Sequence, residues 1–377
     1  MYKKIALLIL SAAAIILLLV ALRPSPKVTR AFYYWKTTFA TDTNAEKTVQ
    51  KLGVTLLYVR CFDVDWSEAA QHPVPRAAIQ SWDYKDMGID RICPVVFITP
   101  RTFERTSEDK LEALSEKIVE KIKETSKNIG EQIGYRRFNP YCDECGEYYE
   151  MEKKKEKFTA NFYSQIQEIQ IDCDWGEKTK DKYFTFLQLL KKKIPGKTLS
   201  VTLRLYPYKY SEKMGIPPAD KAMLMCYNTG VVQHAETRNA ILDISEVKVY
   251  LTDVKPYPLP LDVALPLFHW GVWFRYGQCK GIIHELSASA WQKDSAFASF
   301  DANHFTIKKD TVIGDNYFRE GDDVRFESPT PESLTTAATI IRETLGLQER
   351  NISFFHWDSD LIKEHENSID ATYQTFE

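Results

Sequence analysis

Eight short apolar runs recur along the chain, and this repetition constrains the fold more than any other feature of the sequence. The runs are rich in β-branched and aromatic residues and occupy residues 31–35, 55–66, 92–100, 168–175, 199–206, 222–230, 259–268 and 352–358. They are continuous rather than alternately polar and apolar, as is typical of strands covered on both faces. Amphipathic helix patterns lie between several of them. This alternation predicts an α/β protein, a (β/α)8 TIM barrel, with a doubly wound open sheet as the alternative.

Two connections are longer than ordinary loops. Residues 130–160 carry Cys142 and Cys145 and a lysine run, which indicates a solvated surface excursion. Residues 270–328 contain short strand patterns separated by turn residues, including two that could pair across Gly277-Gln278. We expect this β-rich insertion after strand 7 to lie at the barrel mouth, where loops vary most.

The amino-terminal segment predicts a membrane anchor. Residues 5–22 are apolar apart from Ser11 and follow Lys3 and Lys4. The run is close to the roughly 20 residues that span a bilayer, whereas the apolar part of a signal peptide usually has about 7–15. A signal peptide that is cleaved on export is the alternative. We therefore divide the chain into residues 1–30 and a barrel domain, 31–377, and expect that domain in the periplasm or elsewhere outside the cytoplasmic membrane.

The charge and the cysteine content exclude some kinds of protein. The chain has 49 basic and 52 acidic side chains. Five of the basic ones and no acidic ones lie in residues 1–30, which leaves 44 basic and 52 acidic in the rest. Such an acidic domain argues against nucleic-acid binding. The seven cysteines do not resemble a disulfide framework, and Cys142 and Cys145 indicate a local disulfide or two free thiols. We expect no metal and no cofactor.

Paired aspartates end two of the predicted strands. Asp172 and Asp174 close the fourth, and Asp63 and Asp65 close the second. Because side chains alternate along a strand, the members of each pair share a face. A carboxylate in an apolar strand is costly unless it is paired or lines a wet cavity. The pairs therefore predict a carboxylate-lined cleft, with a structural polar plug or metal chelation as alternatives.

Motifs at three strand ends resemble those of the family 18 glycoside hydrolases, the chitinase-like barrels. The fourth run has Asp172-Cys-Asp174-Trp175, the sixth has Met225-Cys-Tyr227-Asn228, and the eighth ends near Trp357. The resemblance implies that Asp172, Asp174 and Tyr227 are catalytic, that Tyr227 and Asn228 contact the sugar, and that Trp357 floors its pocket. It also implies a glycan partner, with N-acetylhexosamine units as one candidate.

The chain departs from that family where the acid should be. Gly176 stands at the position of the catalytic Glu, and Ile169 at that of the first Asp. Some uncharacterised bacterial envelope barrels look similar. Glu177 could substitute if the strand bulges, and an aspartate could donate the proton if its pKa is raised. A catalytically inactive barrel that binds a glycan or a protein is the alternative to a hydrolase.

Aromatic and basic residues at strand ends complete the predicted site. We expect Trp35 and Trp357 to lie in the cleft, because sugar faces stack on such rings. Trp175 points away from its aspartate neighbours by strand alternation. Arg60 and Arg204 are expected to pair with the central aspartates, and Arg204 is included in the substrate-binding set with Asp63 and Asp65.

Overall fold

Eight parallel strands form the centre of the computed structural model, which describes residues 27–40, 43–82, 89, 91–138, 145–284, 291, 296–299 and 303–377. In chain order these are β1 (Val28–Tyr34), β2 (Leu56–Ser67), β3 (Arg91–Ile98), β4 (Glu168–Asp172), β5 (Thr198–Arg204), β6 (Lys221–Met225), β7 (Leu261–Pro266) and β8 (Arg350–Phe355). Each predicted run coincides with one strand.

The sheet closes on itself. Every strand pairs in parallel with the next along the chain, and β1 pairs with both β2 and β8. An open doubly wound sheet would leave two edges free, so that alternative is wrong and the predicted barrel is confirmed. Two short additions flank the ring: His72–Arg76 runs antiparallel to β2, and Thr38–Phe39 pairs with Ser81–Trp82.

Helices cover the outside of the ring. They are Thr43–Lys51, Pro100–Arg105, Leu111–Arg137, Cys145–Gln165, Lys180–Lys193, Leu205–Lys209, Ser211–Met214, Ile244–Leu251, Pro331–Leu345, Ser359–Glu364 and Glu366–Phe376, with a 3-10 turn at Glu108–Lys110. The large core lies between these helices and the outer faces of the strands. A smaller apolar cluster fills the barrel interior and includes Tyr33, Tyr58 and Met223. Cys61, Cys93, Cys173 and Cys226 are buried, unpaired thiols, as expected of cysteines in strands.

The described parts of residues 130–160 are largely helical. They belong to the helices Leu111–Arg137 and Cys145–Gln165, which pack against each other. Close packing occurs at Gly130, where an added Cβ would lie 2.7 Å from Phe162 Cβ. Cys142 and the side chain of Cys145 lie outside the described residues.

The predicted β-rich insertion follows β7. Its five-stranded antiparallel sheet has the order Gln278–Ile283, Trp270–Arg275, Asp323–Glu327, His304–Ile307 and Phe297–Ser299. A hairpin of Thr311–Ile313 and Asn316–Phe318 accompanies it. The predicted pairing across Gly277 is present, since Arg275 pairs with Gln278.

The predicted anchor at residues 5–22 lies outside the described residues. Within the part of the chain that the structure describes, every helix is too short or too polar to span a bilayer.

Candidate functional site

A cavity of about 350 Å³ opens at the carboxyl ends of the barrel strands. It is lined by Trp35, Arg60, Phe97, Asp172, Asp174, Arg204, Leu205, Tyr206, Met225, Tyr227, Asn228, Tyr250 and Phe355. Six of the nine residues predicted for the site are among them. We call this cavity the mouth cleft; its volume is within the usual range for a small-molecule site.

Asp172 lies deepest among the acidic residues of the mouth cleft. It is the last residue of β4, is half-buried, and its Oδ1 accepts a hydrogen bond of 2.6 Å from Thr202 Oγ1. Burial raises the pKa of Asp172 from 3.8 to about 7; the Thr202 bond works against this rise, and the charges of Asp174 and Asp63 add to it. A carboxyl group of this kind can hold or release a proton near neutral pH.

Asp174 is exposed and forms an ion pair with Arg204. Its Oδ1 lies 3.3 Å from Arg204 Nε, and Arg204 Nη2 donates a 2.8 Å hydrogen bond to the carbonyl of Trp175. Trp175 itself is buried outside the barrel, where its ring packs on Tyr183 and Phe184. The predicted opposition of Asp174 and Trp175 is therefore present.

The next residue, Glu177, does not bring a carboxylate into the mouth cleft beside Gly176. Glu177 is exposed, and its carboxylate lies 2.8 Å from Lys213 Nζ on the surface. Glu177 does not line the mouth cleft, so the bulge that would have brought it there is absent. A Cβ built on Gly176 meets no atom within 4 Å.

Tyr227 closes the floor of the mouth cleft. Its ring stacks on Phe355 at a centroid distance of 5.4 Å, and its hydroxyl lies 3.1 Å from Met225 Sδ. Burial raises the pKa of Tyr227 well above 10, with the carboxylates of Asp172 and Asp174 adding to the rise, so the phenol remains a hydrogen-bond donor. Asn228 follows with a φ of 54° and an exposed side chain.

Trp35 forms another part of the cleft wall with Arg60 and Phe355. The Trp35 ring lies edge-on to Phe355 at 5.2 Å, and the Arg60 guanidinium sits 5.4 Å from the ring centroid. Arg60 Nη1 also donates to the Trp35 carbonyl at 3.2 Å, and Nε donates to Asp63 Oδ1 at 2.6 Å. The rotation of Trp35 is thus restricted from two sides.

Three predicted site residues lie elsewhere. Trp357 is 1% exposed and packs in the outer core against Phe32 and Tyr34, so it cannot floor the cleft. The prediction failed because strand alternation stops with β8 at Phe355, and the Trp357 amide donates to the Tyr33 carbonyl beyond it.

Asp63 and Asp65 are the other two predicted site residues that do not line the mouth cleft. A register shift in β2 between Arg60 and Phe62 changes the alternation before both aspartates. Asp63 is held by Arg60, whereas Asp65 accepts from Thr99 Oγ1 at 2.6 Å and pairs with Arg101. Neither lines the mouth cleft, and the Arg101 bonds lower the pKa of Asp65.

Four aromatic residues of the cleft were not predicted. Phe97 and Phe355 lie in β3 and β8, and alternation from a correctly placed strand end could have found them. Tyr206 and Tyr250 lie in helices that follow strands, where the period of two gives no signal.

The chain is similar to several solved structures. No protein-family model matches it, and no curated protein matches it. The spore cortex-lytic enzyme SleL of Bacillus cereus is similar in structure, with a TM-score of 0.47 and 15% identity over 93% of this chain and 75% of SleL. A chitinase from Chromobacterium violaceum gives a TM-score of 0.47 and 10% identity over 93% of this chain and 99% of its own.

A third solved structure is a fungal endo-beta-N-acetylglucosaminidase from glycosyl hydrolase family 18. It gives a TM-score of 0.41 and 10% identity over 91% of this chain and 96% of its own. The closed strand order and the lining residues define a (β/α)8 barrel with an acidic and aromatic mouth cleft.

Proposed function

We propose that the mouth cleft binds a glycan. The observation that carries the proposal is the joint presence, in one cavity, of the aromatic rings of Trp35, Tyr227 and Phe355 and the charged groups of Asp174 and Arg204. Aromatic rings pack against the apolar faces of sugars, and nearby polar groups bond the hydroxyls. In this role Asn228 is a further hydrogen-bonding group at the exposed rim. The strand-end resemblance favours N-acetylhexosamine units.

Glycan hydrolysis is the second candidate function, and the pKa of Asp172 favours it. A group that titrates at about 7 is suited to move a proton at neutral pH. In this mechanism Asp172 exchanges the proton, Asp174 orients the sugar, and the Tyr227 hydroxyl donates a hydrogen bond to it. Binding without turnover is favoured instead by Gly176, which offers no proton donor where the resembling family has one.

Binding and turnover can be separated in one experiment. The full-length chain is titrated with oligosaccharides of N-acetylglucosamine and of glucose, and the same mixtures are analysed for shorter products. Binding with no products supports the first function, and products that disappear in Asp174→Asn support the second. Asp315→Asn, an exposed aspartate in the insertion hairpin, is the matched control and should change neither readout. Absence of binding by any sugar would refute the proposed function.

We also propose that residues 5–22 hold the barrel at a membrane, with the mouth cleft outside the cytoplasm. The apolar run and its preceding lysines support this location. Fractionation of cells, followed by protease treatment of intact spheroplasts, tests it. Recovery in the soluble cytoplasmic fraction would refute it.

A further inference from the structure

Two exposed tyrosines extend the aromatic surface beyond the mouth cleft. Tyr206 and Tyr210 follow β5, and their rings lie 4.7 Å apart at 50° to one another. They are 41% and 42% exposed. Tyr206 lines the mouth cleft whereas Tyr210 does not, so the pair leads from the cavity onto the outer surface. Single exposed aromatic residues are common, but a contiguous run that continues a cavity indicates a binding surface.

A second helix supports the pair. Tyr250, on the helix Ile244–Leu251, lines the same side of the cleft, and Lys209 Nζ donates to the Val249 carbonyl on that helix. The two helices also contact each other directly. The tyrosines are therefore held on a fixed surface rather than on a free loop, which lowers the entropic cost of using them for binding.

The position of this surface in the ring fixes the direction of a ligand. Trp35 follows β1, and Tyr206 follows β5. In a closed ring of eight strands, β1 and β5 are four positions apart and face each other across the mouth. Aromatic residues thus stand at opposite ends of one diameter, and Asp172 and Asp174 line the same cavity at the end of β4, next to β5.

We infer that the mouth cleft takes an oligosaccharide of several units, which lies across the barrel from Trp35 to the Tyr206–Tyr210 pair, with Tyr210 as an outer subsite. This inference rests on the proposed function and adds to it the length of the ligand and the residue that senses that length. Tyr210 is a binding residue here, with no part in any proton transfer.

The test is a length series. Two soluble ladders, β-1,4-linked N-acetylglucosamine and β-1,4-linked glucose from one to six units, are titrated calorimetrically into the full-length chain. Affinity should rise with length in the ladder that binds. Tyr210→Ala should weaken the longest oligomers about fivefold, as expected for one stacked ring, and leave the monomer unchanged.

Two further variants control the measurement. Tyr210→Phe keeps the ring and should bind as the native chain does. Tyr135→Ala removes a comparably exposed tyrosine, 55% exposed, from the helix Leu111–Arg137 and should change nothing. Equal affinity for monomer and hexamer, or unchanged hexamer affinity in Tyr210→Ala, would overturn the inference while the proposed function stands. Failure of both ladders at every length would instead overturn the proposed function and the inference with it.

Discussion

Asp172 destabilises the folded protein when it is ionised, but its raised pKa suits it to proton transfer. It is half-buried at the end of β4, and its folded pKa of about 7 lies above the ordinary 3.8. Folding therefore disfavours the ionised form. The resulting cost is absent below pH 3.8, grows as the pH rises towards 7, and is fully present above that. Residues that are costly in this way are frequently retained for function.

Asp172→Asn should therefore stabilise the protein at pH 8. Asparagine keeps an oxygen that can accept from Thr202 but carries no charge to bury. The gain in the free energy of unfolding is at most about 4 kcal/mol at pH 8 and close to zero at pH 4. Thermal unfolding followed by circular dichroism at both pH values measures it. A lower Tm for the variant at pH 8 would contradict the burial argument.

Gly176 is a position at which a carboxyl group can be introduced. Because a Cβ at this position meets nothing within 4 Å, Gly176→Glu should change the free energy of unfolding by no more than about 0.5 kcal/mol. If the rest of the site suits hydrolysis, the new carboxyl group should raise the rate of product release by about 10²-fold or more. Gly176→Gln has the same size but no acidic proton and is the matched control. Equal rates in the two variants would exclude an acid role at this position.

At the scale of elements, a buried arginine that is ion-paired within the insertion ties the insertion to the barrel. Arg325 and Glu327 are each 1% exposed, and Arg325 Nε donates to Glu327 Oε1 at 2.6 Å. Arg325 also donates to the carbonyls of Val232, His234 and Ala235 in the loop after β6. The insertion is thus fixed to a neighbouring loop of the barrel rather than joined only through its own ends.

Arg325→Met should destabilise the protein by about 3–5 kcal/mol, since it leaves the Glu327 carboxylate buried without its cation. Urea unfolding monitored by tryptophan fluorescence measures the loss. Arg319→Met, an exposed arginine in the same insertion, should have little effect. A loss below about 1 kcal/mol for Arg325→Met would show that the pair is not a fixed connection.

Strand positions could be predicted from the sequence, whereas the directions of side chains at strand ends could only partly be predicted. Continuous apolar runs mark strands because both faces of a barrel strand are covered. Alternation placed Asp172 and Asp174 in one cavity, although Asp174 lies two residues beyond the end of β4. Asp63 is not among the cavity-lining residues, since β2 shifts register between Arg60 and Phe62, and the Trp357 ring packs in the outer core. The exposure of Tyr206 and Tyr210 had no signal in the sequence, because it depends on how the helix after β5 and the turn at Tyr210 pack.

At the scale of the whole molecule, a polar network joins strands at the amino end of the barrel. Lys221 Nζ lies 2.7 Å from both Glu168 Oε2 and Asp262 Oδ2, and Asn351 Nδ2 donates to Tyr58 at 2.8 Å. These residues come from β2, β4, β6, β7 and β8. Burial works against the charge on Lys221, but the two carboxylates raise its pKa overall. Burial likewise raises the pKa of Glu168, which Lys221 counteracts.

Lys221→Met should cost about 3–5 kcal/mol at pH 8, because two buried carboxylates would face each other without a cation. The loss should shrink towards pH 5, since a carboxyl group with a raised folded pKa takes up its proton earlier as the pH falls. Chemical denaturation at the two pH values measures both. Lys255→Met, which removes an equally short but exposed pair with Glu212, is the control and should cost no more than about 1 kcal/mol. A loss that is independent of pH would contradict the electrostatic explanation.

The first barrel strand starts at Val28, on the rim that faces away from the binding cavity. Five residues lie between position 22 and Val28, so these six residue-to-residue steps could span no more than about 20 Å even if fully stretched. A barrel attached through so short a segment would have its amino-terminal rim next to the membrane and its mouth cleft facing away from the lipid. A long glycan outside the membrane would then reach the mouth cleft without having to enter the space between the protein and the bilayer.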